Sequence, residues 1–243
     1  MMPSIRFNSI DNVIWGTQLR RPPFAGSIHI WRLQLSQHLR LTDKFSELLT
    51  EDEIARSKSY LDEKDRQRFI LSRGMLRSIL AKYLSEPAEN IRFAKDENNK
   101  PFIRIKTTEV HYNIAHAGDW VLIAVSGSPV GIDVEQIRDD LDYGEILPLC
   151  FNGDEAASIH SQKQFYKLWT RKEALVKATG KGIDNDLSFV PCMDGSHYAQ
   201  REKIGSDKDW IVSSFEMTEG YTGSIACNPS AQDYLFFEAS GVH

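Results

Sequence analysis

Two stretches of this chain show the same order of predicted elements, a long helix followed by short strands. Apolar residues recur at helical spacing over residues 62–84, which predicts one amphipathic helix. A second helix is predicted over residues 162–178, and the glycines at 180 and 182 end it. The repeat predicts an α+β fold built from two similar halves, residues 1–127 and residues 128–243.

Between and after these helices, β-branched and aromatic residues alternate with turn residues, which predicts short strands. Thr50 and Glu53 form a capping-box pair that predicts a short helix beginning at this point. Residues 1–26 show no sustained periodicity and are predicted to be irregular. The predicted strands cover residues 27–35, 91–94, 102–105, 110–114, 120–125, 130–135, 210–217 and 221–227.

The composition is that of a soluble globular protein without a nucleic-acid or membrane partner. The 243 residues are 41% hydrophobic and 26% charged, with a net charge of −5. Residues 1–15 lack the basic and apolar regions of an export signal, and the longest purely apolar run is 120–125. The three cysteines form no C-x-x-C pair, so we expect a cytoplasmic protein without disulfides or a cysteine zinc site.

Positive charge is concentrated between Arg56 and Lys106, where 13 Lys and Arg residues stand against 7 Asp and Glu residues. A solvated helix face explains most runs of charge, and a binding site for a small polyanion is the alternative. Within this zone, Asn99-Lys100-Pro101 ends a turn and directs Lys100 outward, as an ordinary surface loop would also do. Charge alone does not decide between these readings.

The segment V-G-I-D-V-E at residues 130–135 alternates with the period of a strand. Because side chains two residues apart share a face, Asp133 and Glu135 project together, with Cα atoms roughly 6.5 Å apart. Both carboxylates can therefore reach one cation. An edge strand with one wet face shows the same alternation, so the motif is weak by itself.

In the second predicted helix, Trp169, Glu173 and Lys177 are spaced four residues apart and lie on one face. An ordinary ion pair between Glu173 and Lys177 explains two of them. The glycines on both sides of Lys181 let the backbone approach another group closely, which favours a binding site at this end of the helix. His116 lies where an apolar strand gives way to a turn and is either a ligand-facing or a structural histidine.

Taken in order, these motifs resemble those of the Sfp-like 4′-phosphopantetheinyl transferases, the type that activates surfactin synthetase. The matching segments are N-K-P at 99–101, Y-N-I-A-H-A-G-D-W at 112–120, G-I-D-V-E at 131–135 and L-W-T-R-K-E-A-L-V-K-A-T-G-K-G-I at 168–183. The resemblance implies transfer of the phosphopantetheine arm of coenzyme A to a serine of an acyl or peptidyl carrier protein. It also implies Mg²⁺ as cofactor and adenosine 3′,5′-bisphosphate as the second product.

The resemblance further implies two α+β halves related by a pseudo-twofold, with coenzyme A in the cleft between them. Asp133, Glu135 and Glu173 would hold Mg²⁺, a hard ion that prefers carboxylates, waters and phosphate oxygens. Glu173 would also take the serine proton, directly or through a metal-bound water. Lys177 would stabilise negative charge on the leaving bisphosphate.

The basic zone of the first half would then bind the nucleotide part of coenzyme A. Arg68 occupies the arginine position of the family and would contact the 3′-phosphate, with Arg73 as an assistant. Lys100 would lie near the nucleotide, and His116 and Lys172 would contact phosphate oxygens.

Two positions depart from the family pattern. Ala115 stands where a serine commonly precedes the histidine, which removes one hydroxyl near the phosphates. Asn99 stands where a glycine commonly precedes Lys-Pro, and we expect the turn to survive because Asn tolerates the left-handed conformation.

Two other functions remain open at this stage. A Mg²⁺-dependent nucleotide pyrophosphohydrolase would use the same carboxylates and lysines to activate water. A coenzyme A binding protein without catalysis is the other alternative. We expect the protein to be a monomer, because a duplicated chain already contains both halves of its cleft.

Overall fold

The computed structural model describes residues 2–16, 26–98, 100–104, 110–182, 186–231 and 233–239. The expected left-handed conformation of Asn99 and the end of the strand predicted at 102–105 lie outside the described residues. No helix in the described part of the chain is long and apolar enough to cross a membrane.

The described residues form an α+β fold, which confirms the predicted fold class. The strands are β1 (Ser4–Ser9), β2 (Trp15–Gly16), β3 (Ser27–Gln34), β4 (Phe93–Lys95), β5 (Pro101–Ile103), β6 (His111–Ala117), β7 (Trp120–Ser126), β8 (Val130–Gln136), β9 (Gly195–Tyr198), β10 (Trp210–Thr218), β11 (Tyr221–Cys227) and β12 (Asp233–Glu238). The helices are α1 (Thr42–Ser46), α2 (Glu51–Lys58), α3 (Glu63–Leu84), α4 (Leu147–Cys150), α5 (Gly153–Ser158), α6 (Gln162–Thr179) and α7 (Arg201–Ile204).

The helix boundaries follow from local capping. Asp62 caps α3 by accepting a hydrogen bond from the Lys64 amide, and Thr50 and Glu53 form the predicted capping box of α2. Gly180 ends α6 in the left-handed conformation, at a φ of 81°. The two long helices are therefore confirmed almost to the residue.

Both halves contain the same unit, a strand, a long helix and a hairpin. In the first half the hairpin β6–β7 follows α3, and β7 pairs with β3. In the second half the hairpin β10–β11 follows α6, and β11 pairs with β8. All four pairings are antiparallel, so each unit places its first strand beside the last strand of its hairpin.

The two ends of the chain cross between the halves. β1 pairs parallel with β10 and completes the sheet β8-β11-β10-β1-β9, whereas β12 pairs parallel with β3 in the sheet β2-β12-β3-β7-β6. The prediction of an irregular segment over residues 1–26 is wrong for Ser4–Ser9. Ile5 and Phe7 alternate with polar residues there and are buried in the core of the second half. Each half, as divided at residue 127, thus contributes an end strand to the sheet of the other.

Apolar side chains hold the molecule together in layers. On β7, Val121 and Ile123 pack against α3, while Leu122 and Ala124 face the second sheet. Burial on both faces explains why 120–125 is a continuous apolar run in a protein strand. Ile132 of β8 packs in the layer between the two sheets, and α6 covers the outer face of the second sheet.

Candidate active site

The candidate site lies where β6 of the first half and β8 of the second lie against each other. Each is an edge strand of its own sheet. On β6, Tyr112 and Ile114 pack on the side of α3, so His116 projects to that side as well. On β8, Val130, Ile132 and Val134 face the first sheet, which directs Asp133 and Glu135 toward α6.

Gly131 allows α6 to pack directly on the backbone of β8. A Cβ atom at Gly131 would lie 2.1 Å from the carbonyl oxygen of Ala174 and 2.3 Å from the amide nitrogen of Ala178. Only glycine fits such an approach of backbone to backbone. The contact brings Asp133, two residues further along the same face, against the last turns of α6.

Asp133, Glu173 and Lys177 form a cluster of ion pairs across this contact. The Lys177 ammonium donates to Asp133 Oδ1 at 2.5 Å and lies 3.3 Å from Glu173 Oε2. The Asp133 side chain is 6% exposed and the Lys177 side chain 29% exposed. The ordinary ion pair between Glu173 and Lys177 is therefore present, but a buried aspartate from another element shares the same ammonium.

The pKa values in this cluster reflect burial and crowding of like charges. Burial raises the pKa of Asp133 to about 7, the Lys177 ammonium opposes the rise, and Glu173 adds to it. Burial and the charge of Glu173 also raise the pKa of Glu135. The Trp169 indole donates a hydrogen bond to Glu135, which opposes this rise. Burial alone would lower the pKa of Lys177, but Asp133 and Glu173 raise it above its ordinary value.

The residues of this cluster fit a hard divalent cation. Oδ2 of Asp133 is buried and has no hydrogen-bond partner. Asp133, Glu135 and Glu173 bring three carboxylates to one place, where Lys177 supplies a single positive charge. In the described part of the chain, no group of three or more acidic, histidine or cysteine side chains is arranged to hold a metal ion by itself. Mg²⁺ does not require one, because it commonly binds one or two carboxylates together with waters and phosphate oxygens.

Two positive charges, one from each half of the chain, act on His116. Burial lowers the pKa of His116, and the charges of Arg68 and Lys177 lower it further. Arg68 pairs with Asp65 at 2.7 Å and borders a 520 Å³ pocket together with Gly118. The structure thus brings together Arg68, His116 and Lys177, which lie in three separate segments of the sequence.

Lys100 lies at the end of α6 and joins the two halves. Its ammonium donates to the carbonyl oxygen of Ala178 at 2.7 Å, and burial lowers its pKa to about 8 although Asp96 opposes the shift. The ammonium therefore takes the position of a cation at a helix C-terminus. Lys100 also lines a 410 Å³ pocket between the halves with Tyr112 and Trp210.

Arg73 faces a different groove from Arg68. Arg73 pairs with Glu53 at 3.0 Å and lies 4.7 Å from the centre of the Phe93 ring. This groove, which has a volume of 950 Å³, includes neither Arg68 nor Lys100. Arg73 is therefore not beside the 3′-phosphate contact predicted for Arg68.

The prediction that Lys172 contacts phosphate needs correction. The Lys172 side chain is fully buried, and its ammonium donates to Glu155 Oε2 at 2.7 Å. It also donates to the carbonyl oxygens of Leu187 and Val190. With all three donors used inside the protein, Lys172 holds α5 and the segment after α6 in place and does not reach the site.

Sequence reasoning missed two residues that shape the site. Gly131 was part of a recognised motif, but its role in admitting α6 depends on packing between distant segments. Asn113 accepts a hydrogen bond from the Ile132 amide at 2.9 Å, across the contact of β6 and β8. A polar residue inside an otherwise apolar strand pattern was the available signal for Asn113.

Two family models match consecutive parts of the chain. The model of the N-terminal region of 4′-phosphopantetheinyl transferases matches residues 34–128. The model of the 4′-phosphopantetheinyl transferase superfamily matches residues 129–226. The second match contains the carboxylates and Lys177, and the first contains Arg68, Lys100 and His116.

Curated relatives carry the same description. The 4′-phosphopantetheinyl transferase psf-1 of Bacillus pumilus is 39% identical over 180 residues, 70% of this chain and 76% of the relative. HetI of Nostoc sp. is 32% identical over 180 residues, 69% of this chain and 76% of the relative. Sfp of Bacillus subtilis is 26% identical over 190 residues, 75% of this chain and 84% of the relative.

A solved holo-(acyl-carrier-protein) synthase from Bacillus anthracis in complex with CoA is 25% identical. It covers 41% of this chain and 93% of its own length, with a TM-score of 0.34.

Proposed function

Since the chain belongs to the Sfp-like 4′-phosphopantetheinyl transferases, we propose that it transfers the phosphopantetheine arm of coenzyme A to a carrier-protein serine where β6 lies against β8. The observation that carries this proposal is the cluster of Asp133, Glu173 and Lys177. It joins two motifs that lie about forty residues apart in the sequence. The cluster combines carboxylates for a cation with an ammonium for phosphate.

The proposed reaction needs alignment and charge neutralisation more than covalent help from the protein. The serine oxygen attacks the pantetheine-side phosphorus of the pyrophosphate, and the bond from that phosphorus to the leaving bisphosphate oxygen breaks. Glu173 accepts the serine proton, and Lys177 stabilises the negative charge that the leaving group gains. The buried position of Asp133 and Glu173 strengthens these charge interactions, because little water screens them.

Asp133, Glu135 and Glu173 are the proposed ligands of Mg²⁺, which when bound supplies positive charge to the pyrophosphate oxygens. Arg68 and His116 would contact phosphate groups on the side of α3. Lys100 would contact the nucleotide from the end of α6. Through these three residues, the first half would bind phosphate groups and the nucleotide of coenzyme A.

The proposed partner is an acyl or peptidyl carrier protein that presents an acidic helix. We propose that the enzyme acts on it as a monomer in the cytoplasm. The basic residues of the first half suit a substrate with several phosphates, since coenzyme A carries a 3′-phosphate besides its pyrophosphate.

Intact-mass spectrometry of a purified apo carrier protein tests the proposal. The carrier is incubated with this enzyme and coenzyme A, with Mg²⁺ in one sample and a chelator in the other. We expect the carrier to gain the mass of one phosphopantetheine arm only in the sample with Mg²⁺. Cleavage of coenzyme A without modification of any carrier would instead support the pyrophosphohydrolase, and binding without cleavage would support the non-catalytic protein.

A further inference from the structure

Asn113 is a buried polar residue in the apolar layer between the two sheets. It is 7% exposed, and its neighbours on the same face of β6 are Ala115 and Ala117. Its register partner on β7 is Ala124. A buried amide side chain in such surroundings needs a hydrogen-bond partner.

The partner comes from the other half of the molecule. Asn113 Oδ1 accepts a hydrogen bond from the backbone amide of Ile132 at 2.9 Å. β8 pairs with β11 along one edge, and no strand of the described chain pairs with its other edge. The Asn113 side chain therefore satisfies an edge amide that the ladder leaves without a backbone acceptor.

This hydrogen bond connects the two strands that carry the site. Ile132 directly precedes Asp133 on β8, and Asn113 lies three residues before His116 on β6. Asn113 and His116 lie on opposite faces of β6, so the amide fixes the position of β6 relative to β8 without itself reaching the substrate.

Building on the proposed function, we propose that Asn113 is a positioning residue. Its carboxamide holds β8 at a fixed position against β6, so that the carboxylates of one half and His116 of the other bind one substrate. The apolar contacts between the sheets specify this position less sharply, because the hydrophobic effect has no direction. A hydrogen bond from one side chain to one backbone amide has a preferred distance and direction. Gly131 supports β8 on its α6 side, and Asn113 supports its edge.

The test compares three variants with the wild type. Asn113→Leu removes the acceptor at similar size, and Asn113→Asp keeps an acceptor oxygen at the same place. Leu122→Ala, on β7 in the same apolar layer, is the matched control for loss of stability alone. For each protein we would measure exchange of the Ile132 amide by NMR and coenzyme A affinity by calorimetry, with and without Mg²⁺.

We expect faster exchange of the Ile132 amide in Asn113→Leu. The gain in coenzyme A affinity on adding Mg²⁺ should fall by roughly tenfold to a hundredfold, the usual cost of losing a group that orients metal ligands. Asn113→Asp should recover slow exchange of the Ile132 amide, with a lower melting temperature because it buries a carboxylate. Leu122→Ala should lower the melting temperature while keeping the Mg²⁺ effect.

The inference is overturned if Asn113→Leu loses only stability, as the Leu122→Ala control does, and keeps the Mg²⁺ effect. It is also overturned if the Ile132 amide of the wild type exchanges as fast as that of the variant. Failure of the proposed function would appear differently, as a wild type that binds coenzyme A with Mg²⁺ but modifies no carrier.

Discussion

The backbone of Gly131 in β8 touches the backbone of Ala174 in α6, with space for a hydrogen atom and none for a methyl group. This contact sets the height of α6 above the sheet. Glu173 and Lys177 extend from the helix toward Asp133. The distance from the Asp133 carboxylate to these two groups therefore depends on Gly131, a residue that has no side chain.

Replacing Gly131 with Ala should separate α6 from β8. We expect a loss of about 1–3 kcal/mol in the free energy of unfolding, typical of overpacking a well-packed core, together with loss of transfer. Thermal and urea denaturation measure the first effect, and carrier mass measures the second. Gly153→Ala is the matched control, since nothing lies within 4 Å of a Cβ atom there. A Gly131→Ala variant as stable as this control would contradict the prediction.

Lys172→Met should destabilise the protein because it leaves the Glu155 carboxylate buried without its cation. Breaking one partner of a buried pair costs about 3–5 kcal/mol. The double variant Lys172→Met, Glu155→Leu should recover much of that loss, since no charge remains buried. Coenzyme A affinity of the folded double variant should match the wild type. A large loss of affinity in the folded double variant would instead place Lys172 in the substrate site.

Asp133→Asn should slow transfer severely and leave the fold intact. The amide replaces a carboxylate that pairs with Lys177 and belongs to the proposed cation site. Carrier modification should slow by more than about a hundredfold, which is the upper end of the cost of losing a residue that only orients a metal ligand. Circular dichroism would check the fold. Asp140→Asn, at an exposed pair with Arg138, is the control, and normal turnover of Asp133→Asn with excess Mg²⁺ would refute the metal assignment.

Arg68→Ala should weaken binding of coenzyme A and spare dephospho-coenzyme A, which lacks the 3′-phosphate. A hydrogen bond to a charged group contributes about 1.5–3 kcal/mol, so calorimetry should show a loss of roughly tenfold to a hundredfold. Arg66→Ala removes an exposed arginine paired with Glu63 on the same helix and should change neither affinity. Equal losses for both ligands in Arg68→Ala would mean that Arg68 acts on the structure.

The lowered pKa of Lys100 predicts that coenzyme A binding depends on pH. Burial lowers the pKa of this lysine to about 8, so its positive charge is present below pH 8 and disappears above it. Affinity for the anionic substrate should therefore fall as the pH rises through 8. Lys100→Arg keeps its charge throughout this range and should give a flat profile by calorimetry. A wild-type profile as flat as that of the arginine variant would argue against a contact between Lys100 and the substrate.

Local sequence signals predicted the elements that position the site. The Asp62 cap, the capping box at Thr50 and the glycine at 180 mark helix ends through interactions within a few residues. The alternation around Asp133 gave the correct faces of β8 because one face is apolar and the other is not. Such signals are readable without knowledge of the distant chain.

Contacts between distant segments were not readable in this way. β1 joins a sheet through β10, which begins at Trp210, and six residues of weak alternation do not reveal such a partner. Lys172 belongs to a motif whose neighbouring residue reaches the site, yet the buried acceptors around its ammonium lie on segments that the motif does not include. Membership of a motif therefore predicted that Glu173 and Lys177 face the candidate site, but it misplaced Lys172.

The exchange of β1 and β12 between the sheets affects how the protein can be synthesised and divided. On the ribosome, the first sheet lacks β12 until Glu238 has emerged, and β1 has to wait for β10 before it can pair. Pairings over such sequence separations form slowly. Dividing the chain between the two matched regions would give two fragments. The first would carry β1, which belongs to the second sheet, and the second would carry β12, which belongs to the first sheet. Each fragment would therefore lack one strand of its own sheet.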